Sequence, residues 1–332
     1  MFNKVFIEKS CLSHPRAKHI LDKLKRDDPI VIDDHEAFFN KVKKPYLQKR
    51  DNLNLFIAEK KGTLIKEAPD AYGLDNGKHY YFIHAYNCIY ECHYCYLQGY
   101  FHSPDIVLFI NYNDIGKNIE SLCADPKETY WFHAGEFSDS LALSHITDEV
   151  PFFYRLFKNL KNAKLELRTK SSNIKAILKQ EPLENIITSF SLSPQPALQK
   201  TEEKTPSLIS RLKAIKKLSD LGHPIGIHLD PIIYTEGLKE EYEQLAKQIL
   251  QHLRIELLQY ISIGVVRFSK ESYYQVKKNY PQSYFLAEDM NTSFDGKIRY
   301  PRPIRQWILS QVKETFIKAG VDHKKIYLCM ED

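Results

Sequence analysis

Three cysteines, Cys88, Cys92 and Cys95, stand close together in the stretch Tyr86-Asn87-Cys88-Ile89-Tyr90-Glu91-Cys92-His93-Tyr94-Cys95-Tyr96-Leu97-Gln98. Clustered thiolates are the donors of a soft metal centre, because sulfur suits iron and zinc whereas oxygen suits harder ions. Three ligands are one short of a closed site. Structural zinc is tetrahedral and usually joins two separated Cys-x2-Cys knuckles or Cys/His pairs, and no second knuckle follows downstream. A zinc site here therefore needs His84 or His93 as its fourth ligand. An iron-sulfur cube normally takes four thiolates, so a Cys-x3-Cys-x2-Cys set leaves one iron open to a small molecule. That openness is a catalytic feature.

The chain that must position these sulfurs has 332 residues, 43% hydrophobic and 27% charged, which is ordinary for a soluble globular protein with a sizeable core. The formal net charge of +5 is mild, and permits a polyanionic partner without requiring one. Six cysteines are too few for a disulfide framework. Cys11, Cys123 and Cys329 are scattered and expected to be reduced, as in cytosol. The start, Met1 to Lys9, has no long apolar run and no cleavage-like site. No segment approaches ~20 consecutive apolar residues, so a cytoplasmic location without membrane contact is expected.

Residues 1–75 read as a small α/β lead-in, with strands at Val5–Glu8, Ile30–Ile32 and 53–58 and a helix over Pro15–Leu24. The lysines at 41–50 and 60–66 read as solvated faces. From Tyr80 onward strand and helix alternate, with strands expected over 80–85, 106–111, 129–133, 164–169, 186–192, 224–229 and 260–266. The clearest helix covers 207–221, where Ile209, Leu212, Ile215 and Leu218 recur at helical spacing between Thr205-Pro206 and Gly222. Such alternation predicts an α/β fold with a parallel sheet under helices. Function in these folds gathers at the carboxyl ends of the strands. The cysteine loop, His133-Ala134-Gly135-Glu136-Phe137-Ser138-Asp139, Arg168-Thr169-Lys170, Ser191 and His228-Leu229-Asp230 would all meet on that rim. Glu136 could accept from an ammonium group and Lys170 could pair with a carboxylate, while Ser138 or Asp139 would equally suit a helix cap. Ser191, His228 and Asp230 offer a hydroxyl, an imidazole and a carboxylate to a ribose or substrate, although a strand histidine is more often a hydrogen-bonded core residue.

The cysteine spacing, with Tyr94 just before the last cysteine, resembles the signature of the radical S-adenosylmethionine enzymes. Further stretches narrow the likeness: Cys92 to Gln98, Val5–Glu8, Asn111-Tyr112-Asn113-Asp114-Ile115, Asp230-Pro231-Ile232-Ile233-Tyr234-Thr235-Glu236-Gly237, Arg267-Phe268-Ser269-Lys270 and 297–300 resemble the spore photoproduct lyase family. The resemblance implies a partial (β/α)6 TIM-like barrel over 76–268, between the lead-in and a C-terminal hairpin/helix extension over 269–332. It implies a 4Fe-4S cluster on Cys88, Cys92 and Cys95, and S-adenosylmethionine held by Tyr94, Glu136, Lys170 and Ser191. Tyr94 and Tyr96 match a radical relay, and an external electron donor such as a flavodoxin or ferredoxin would reduce the cluster. The implied reaction is on DNA: an adenosyl radical takes a hydrogen from a thymine dimer, the dimer fragments, and the hydrogen is returned.

The chain departs from the family in one turn. Only Gly135-Glu136 match the superfamily's Gly-Gly-Glu-Pro-like turn, and the cysteine by which the family's lyases give a hydrogen atom to the product radical is replaced by Glu136. A carboxyl group cannot do that work, because its O–H bond is far stronger than S–H. The radical-generating half is thus expected and the substrate is open, with an RNA base or a peptide as alternatives to a thymine lesion. A non-catalytic, zinc-stabilised nucleic-acid-binding module is the reading from another class. Near the end of the chain Lys277, Lys278, Lys297, Arg299, Tyr300 and Arg302 interleave cations with aromatics, which suits phosphate contacts and stacking on unpaired bases. An Asp295-Gly296 turn predicts a hairpin there, the sort of wedge that exposes a base. A plain basic surface accounts for the same residues.

Overall fold

Six strands form one parallel sheet in the computed structural model, which describes residues 2–39, 50–69, 77–286 and 290–331. They are β1 Lys78–Phe82, β2 Tyr130–Ala134, β3 Ala163–Thr169, β4 Ile186–Ser191, β5 Ile225–Ile232 and β6 Leu258–Val265. Each pairs with its neighbour in chain order, the pattern of a (β/α) barrel. A seventh strand, β7 Ile326–Leu328, continues the sheet in parallel beyond β6, and Ile65–Glu67 ends the other edge antiparallel to β1. The strands are apolar runs rather than alternating ones, because both faces are covered; every residue of β2 and of β4 is buried.

Helices Glu149–Asn159, Leu208–Asp220, Leu238–His252 and Arg302–Lys318 pack against the sheet. The expected 207–221 helix forms with Ser207 accepting from the Ser210 amide at its start and Gly222 at φ +89° after its end. Its apolar face is Leu208, Leu212, Ile215 and Leu218, whereas Ile209 points to solvent at 50% exposure.

The lead-in builds a second sheet in the order Ile30–Ile32, Val5–Glu8, Leu55–Ala58, Ile106–Phe109 and Ala85–Tyr86. Two expectations are corrected by it. The 106–111 run was expected in the barrel and pairs instead with Leu55–Ala58. The 80–85 strand stops at Phe82, and Ala85–Tyr86 crosses to the other sheet. A division at residue 75 therefore cuts through the lead-in sheet, and one at 269 separates β7 from the barrel sheet to which it belongs. Of the lysines read as solvated, those at 41–49 lie outside the described residues. Lys60 and Lys66 reach aromatic faces, 5.9 Å over Phe109 and 5.2 Å over Phe137. Among the described residues no helix is long and apolar enough to cross a membrane.

A polar network fills the barrel interior. Glu166 on β3 accepts hydrogen bonds from Ser189, His228 and Tyr260, and pairs with His133 and Arg168. Burial alone would raise its carboxyl, but Arg168 and the surrounding donors hold it well below the ordinary 4.5. Burial holds His133 and His228 toward the neutral form. His228 is thus a core residue, and its suggested contact with a ribose or substrate is corrected.

Candidate active site

A cavity of about 570 Å³ opens at the carboxyl ends of the barrel strands. Cys88, Cys92 and Cys95 line it on a loop that enters from the seam between the two sheets. The loop backbone is pinned mainly by side chains that reach its carbonyls, and the Tyr90 amide bonds a sulfur, Cys88 Sγ, at 3.4 Å. Asn87, at φ +61°, donates to the carbonyls of Ser103 and Asp105 at 2.6 and 2.8 Å. Arg50 donates to the carbonyls of Cys88 and Tyr90, and the Gln98 amide to those of Cys92 and His93. Glu91–Cys92 also pairs as a short strand with Glu202–Glu203.

The donor set fits a cluster better than a single ion. All three thiols are free, and their sulfurs do not all lie within 4.8 Å of one another. A tetrahedral zinc at about 2.3 Å per sulfur holds its thiolates about 3.8 Å apart; a multi-iron cube is wider. The imidazoles a zinc site would need do not line the cavity with the cysteines. His93 has both ring nitrogens taken, by Ser283 and by Glu203 at 2.8 Å, with its ring stacked on Tyr280, and His84 is turned onto Glu149 at 2.8 Å through Nδ1. Burial pushes Cys88 well above the ordinary thiol range, Cys92 to about 12, and Cys95 upward. Such thiols ionise only when a cation joins them.

Glu136, Lys170 and Ser191, from the ends of β2, β3 and β4, line the same cavity as Tyr94 and Tyr96. Asp139 ties two of these strand ends together. It accepts from the amides of Leu141 (2.9 Å), Ala142 (2.8 Å) and Lys170 (2.7 Å), and from the Thr169 hydroxyl at 2.7 Å. No helix starts there, so capping by Ser138 or Asp139 is corrected: the next helix begins at Glu149 after Asp148. Gly135 has φ +99°, and a Cβ on it would sit 2.7 Å from the Ser140 hydroxyl and 3.0 Å from the Arg168 carbonyl. Only glycine lets Glu136 follow so tight a corner.

The charges are arranged around a cation. Burial would lower the Lys170 ammonium, but Cys92 and Glu202 outweigh it and hold it above its ordinary value. Its Nζ lies 5.5 Å from the centre of the Tyr94 ring. The Tyr94 hydroxyl donates to Glu202, which is paired with the fully buried Arg211. The Tyr96 hydroxyl donates to the backbone carbonyl of Glu136. Burial holds the Glu136 carboxyl toward its neutral form.

A family model described as spore photoproduct lyase matches residues 1–322. The chain belongs to the spore photoproduct lyase family. The spore photoproduct lyase of Bacillus subtilis (strain 168) is 25% identical over 337 residues, covering 97% of this chain and 96% of that protein. That of Clostridium acetobutylicum is 23% identical, covering 97% and 98%. A solved structure of a cysteine-to-alanine mutant of spore photoproduct lyase with dinucleoside spore photoproduct superposes with a TM-score of 0.83 at 19% identity, covering 99% of this chain and 98% of that one. A double mutant with bound AdoMet and dinucleoside spore photoproduct gives 0.81 over 100% and 99%. At this identity the likeness establishes the shared fold, a curled parallel half-barrel.

The C-terminal residues of this spore photoproduct lyase family member divide into two groups. Lys277, Lys278 and Arg302 are exposed, and Lys297 lines the cavity. Arg299 and Tyr300 are buried at 1% and 2% exposure, which corrects both as contacts for nucleic acid. Arg299 is consumed by Asp295 at 3.2 Å and Glu331 at 3.8 Å, and the Tyr300 hydroxyl accepts from the Tyr234 amide. The hairpin forms between Asn291–Thr292 and Ile298–Arg299, with Gly296 at φ +76° in its turn and Phe294, 86% exposed, at its tip. Two further cavity features carry no mark that is local in the sequence. One is the two-pronged pair of Arg267 with Asp230, at 3.1 and 3.0 Å. The other is Cys329, delivered by β7. Three residues of strand ahead of Cys329 are too short a pattern to read as a barrel strand.

Proposed function

We propose that this chain is a radical S-adenosylmethionine lyase that reverses a spore-photoproduct-type thymine lesion in DNA. The observation that carries the reading is the meeting of Cys88, Cys92 and Cys95 with Glu136, Lys170 and Ser191 on one cavity at the barrel mouth. The three thiolates would hold a 4Fe-4S cluster with one iron free of protein ligands. With S-adenosylmethionine bound there, the cluster would supply the electron for reductive cleavage of the sulfonium. The protein's part is to orient and enclose. Lys170, held positive, would take the methionine carboxylate; Glu136 and the Ser191 hydroxyl would take the amine and ribose hydroxyls. The Tyr94 and Tyr96 rings wall the cavity beside the cysteines and exclude water from a reactive carbon radical. The exposed cations Lys277, Lys278 and Arg302 would contact phosphate, with Lys297 nearer the reacting base.

The solved relatives with dinucleoside spore photoproduct support the choice of lesion. The test is anaerobic: reconstituted, reduced protein with S-adenosylmethionine and dinucleoside spore photoproduct should release 5′-deoxyadenosine and a thymine dinucleoside. Release of deoxyadenosine with the lesion left intact would point to another substrate, the second reading that Glu136 in the donor turn favours. Neither product, in a colourless protein holding one zinc, would overturn the enzyme reading.

A further inference from the structure

Radical fragmentation of a base dimer leaves a carbon radical on one thymine, and that radical needs a hydrogen atom. A thiol is the protein group suited to give it, since S–H is weak enough to be broken by a carbon radical. No thiol lies in the 135–139 turn, and Cys88, Cys92 and Cys95 are committed to the cluster. Cys11 is packed in the lead-in core. Cys123 follows the Tyr112–Leu122 helix at the amino end of β2, on the side away from the cavity. Cys329 alone of the remaining three lines the cavity.

We propose that the Cys329 thiol is the hydrogen-atom donor to the substrate radical in this chain. The inference rests on the lyase reading above. Strand β7 makes the placement possible: Ile326–Leu328 pairs with Ile261–Ile263, and the Cys329 amide donates to the Ile263 carbonyl at 2.8 Å. The residue is thereby carried to the carboxyl rim, where its sulfur lies 3.6 Å from an Arg267 nitrogen. Arg267 is itself locked on Asp230, and both line the cavity with Glu136. The thiol is thus held by a rigid pair at the reaction chamber, in a shell with 3% of its surface exposed. Burial pushes it up to about 12, so it keeps the proton that a hydrogen-atom donor must carry. In the step, the Cys329 S–H bond breaks and a C–H bond forms on the thymine, leaving a sulfur radical. An external thiol reductant returns one hydrogen atom to that sulfur and becomes the thiyl species. The hydrogen first taken from the lesion stays on 5′-deoxyadenosine, so atoms and electrons balance.

The experiment measures thymine product per deoxyadenosine in D2O, with the dinucleoside lesion and dithiothreitol. Wild-type protein should place one deuterium in the product. Cys329→Ala should lower the yield per deoxyadenosine about tenfold or more, and Cys329→Ser, which keeps the shape but has no weak S–H bond, should lower it as far. An unchanged yield and deuterium content in Cys329→Ala would overturn the proposal. So would a loss that Cys329→Ser repairs, because the cysteine would then be structural. Wild-type protein that releases no deoxyadenosine would overturn the lyase reading, and the inference with it.

Discussion

Lys170 lies at the cavity beside the buried Glu202 carboxylate, whose charge favours its positive form against burial, which makes it the anchor for a ligand carboxylate. A hydrogen bond to a charged group contributes about 1.5–3 kcal/mol. Lys170→Met should therefore weaken S-adenosylmethionine binding about 10- to 100-fold, read by equilibrium dialysis, while the iron content stays as in wild type. Cys92→Ala should instead abolish iron binding and deoxyadenosine release together, measured by iron assay and chromatography. Retained turnover would reject Cys92 as a ligand. The three cysteines were legible because metal-ligand spacing is local in the chain. Cys329 was not, since its relation to them is made only when β7 pairs with β6. Arg299 and Tyr300 misled for a related reason: composition marks a basic aromatic stretch but cannot tell which cations are already paired inside with Asp295 and Glu331.

Among the elements, the cluster loop depends on a partner from far along the chain. Cys92 pairs with Glu202, and Glu202 is buried against Arg211, whose guanidinium also donates to the Ser191 and Pro206 carbonyls. Breaking a buried pair by removing one member costs about 3–5 kcal/mol, because the other charge is stranded. Arg211→Ala should lose about that much in urea unfolding, and should bind less iron as the Cys92 strand loosens. Full iron loading at wild-type stability would show the strand pairing to be dispensable. The hairpin tip carries a separate expectation. If Phe294 is a wedge into the duplex, Phe294→Ala should weaken binding of lesion-bearing duplex DNA by about 1–3 kcal/mol per lost stacking contact and leave turnover of the dinucleoside lesion alone. Equal affinities of the two proteins for the duplex would remove the wedge. The alternation of strand and helix patterns predicted a parallel sheet under helices because each βα unit repeats, yet the Ile106–Phe109 run was assigned to the wrong sheet. A short strand buried on both faces carries no mark of which neighbour it will pair with.

Over the whole molecule, the interior of the barrel is held by carboxylates rather than by apolar packing alone. Glu166, Glu202 and Asp230 would each be raised by burial, but their cationic and hydrogen-bonding partners win and hold all three below their ordinary values. A depressed folded value means that the stabilisation is complete above the unfolded value, 4.5 for the glutamates and 3.8 for the aspartate, and is lost as pH falls through the folded one. The urea midpoint should accordingly fall as the solution is acidified below those values, and Glu166→Gln should flatten that fall while lowering stability at neutral pH. An identical acid profile in the two proteins would remove Glu166 from the linkage. The same interior keeps strand ends rigid enough to bring the cysteine loop, Lys170 and Cys329 to one opening. The central claim is that the metal there keeps one iron for S-adenosylmethionine. Electron paramagnetic resonance of the reduced, reconstituted protein tests it most directly. The account predicts a 4Fe-4S signal that changes shape when S-adenosylmethionine is added, and a signal unaltered by the addition, or a zinc protein with none, would contradict it.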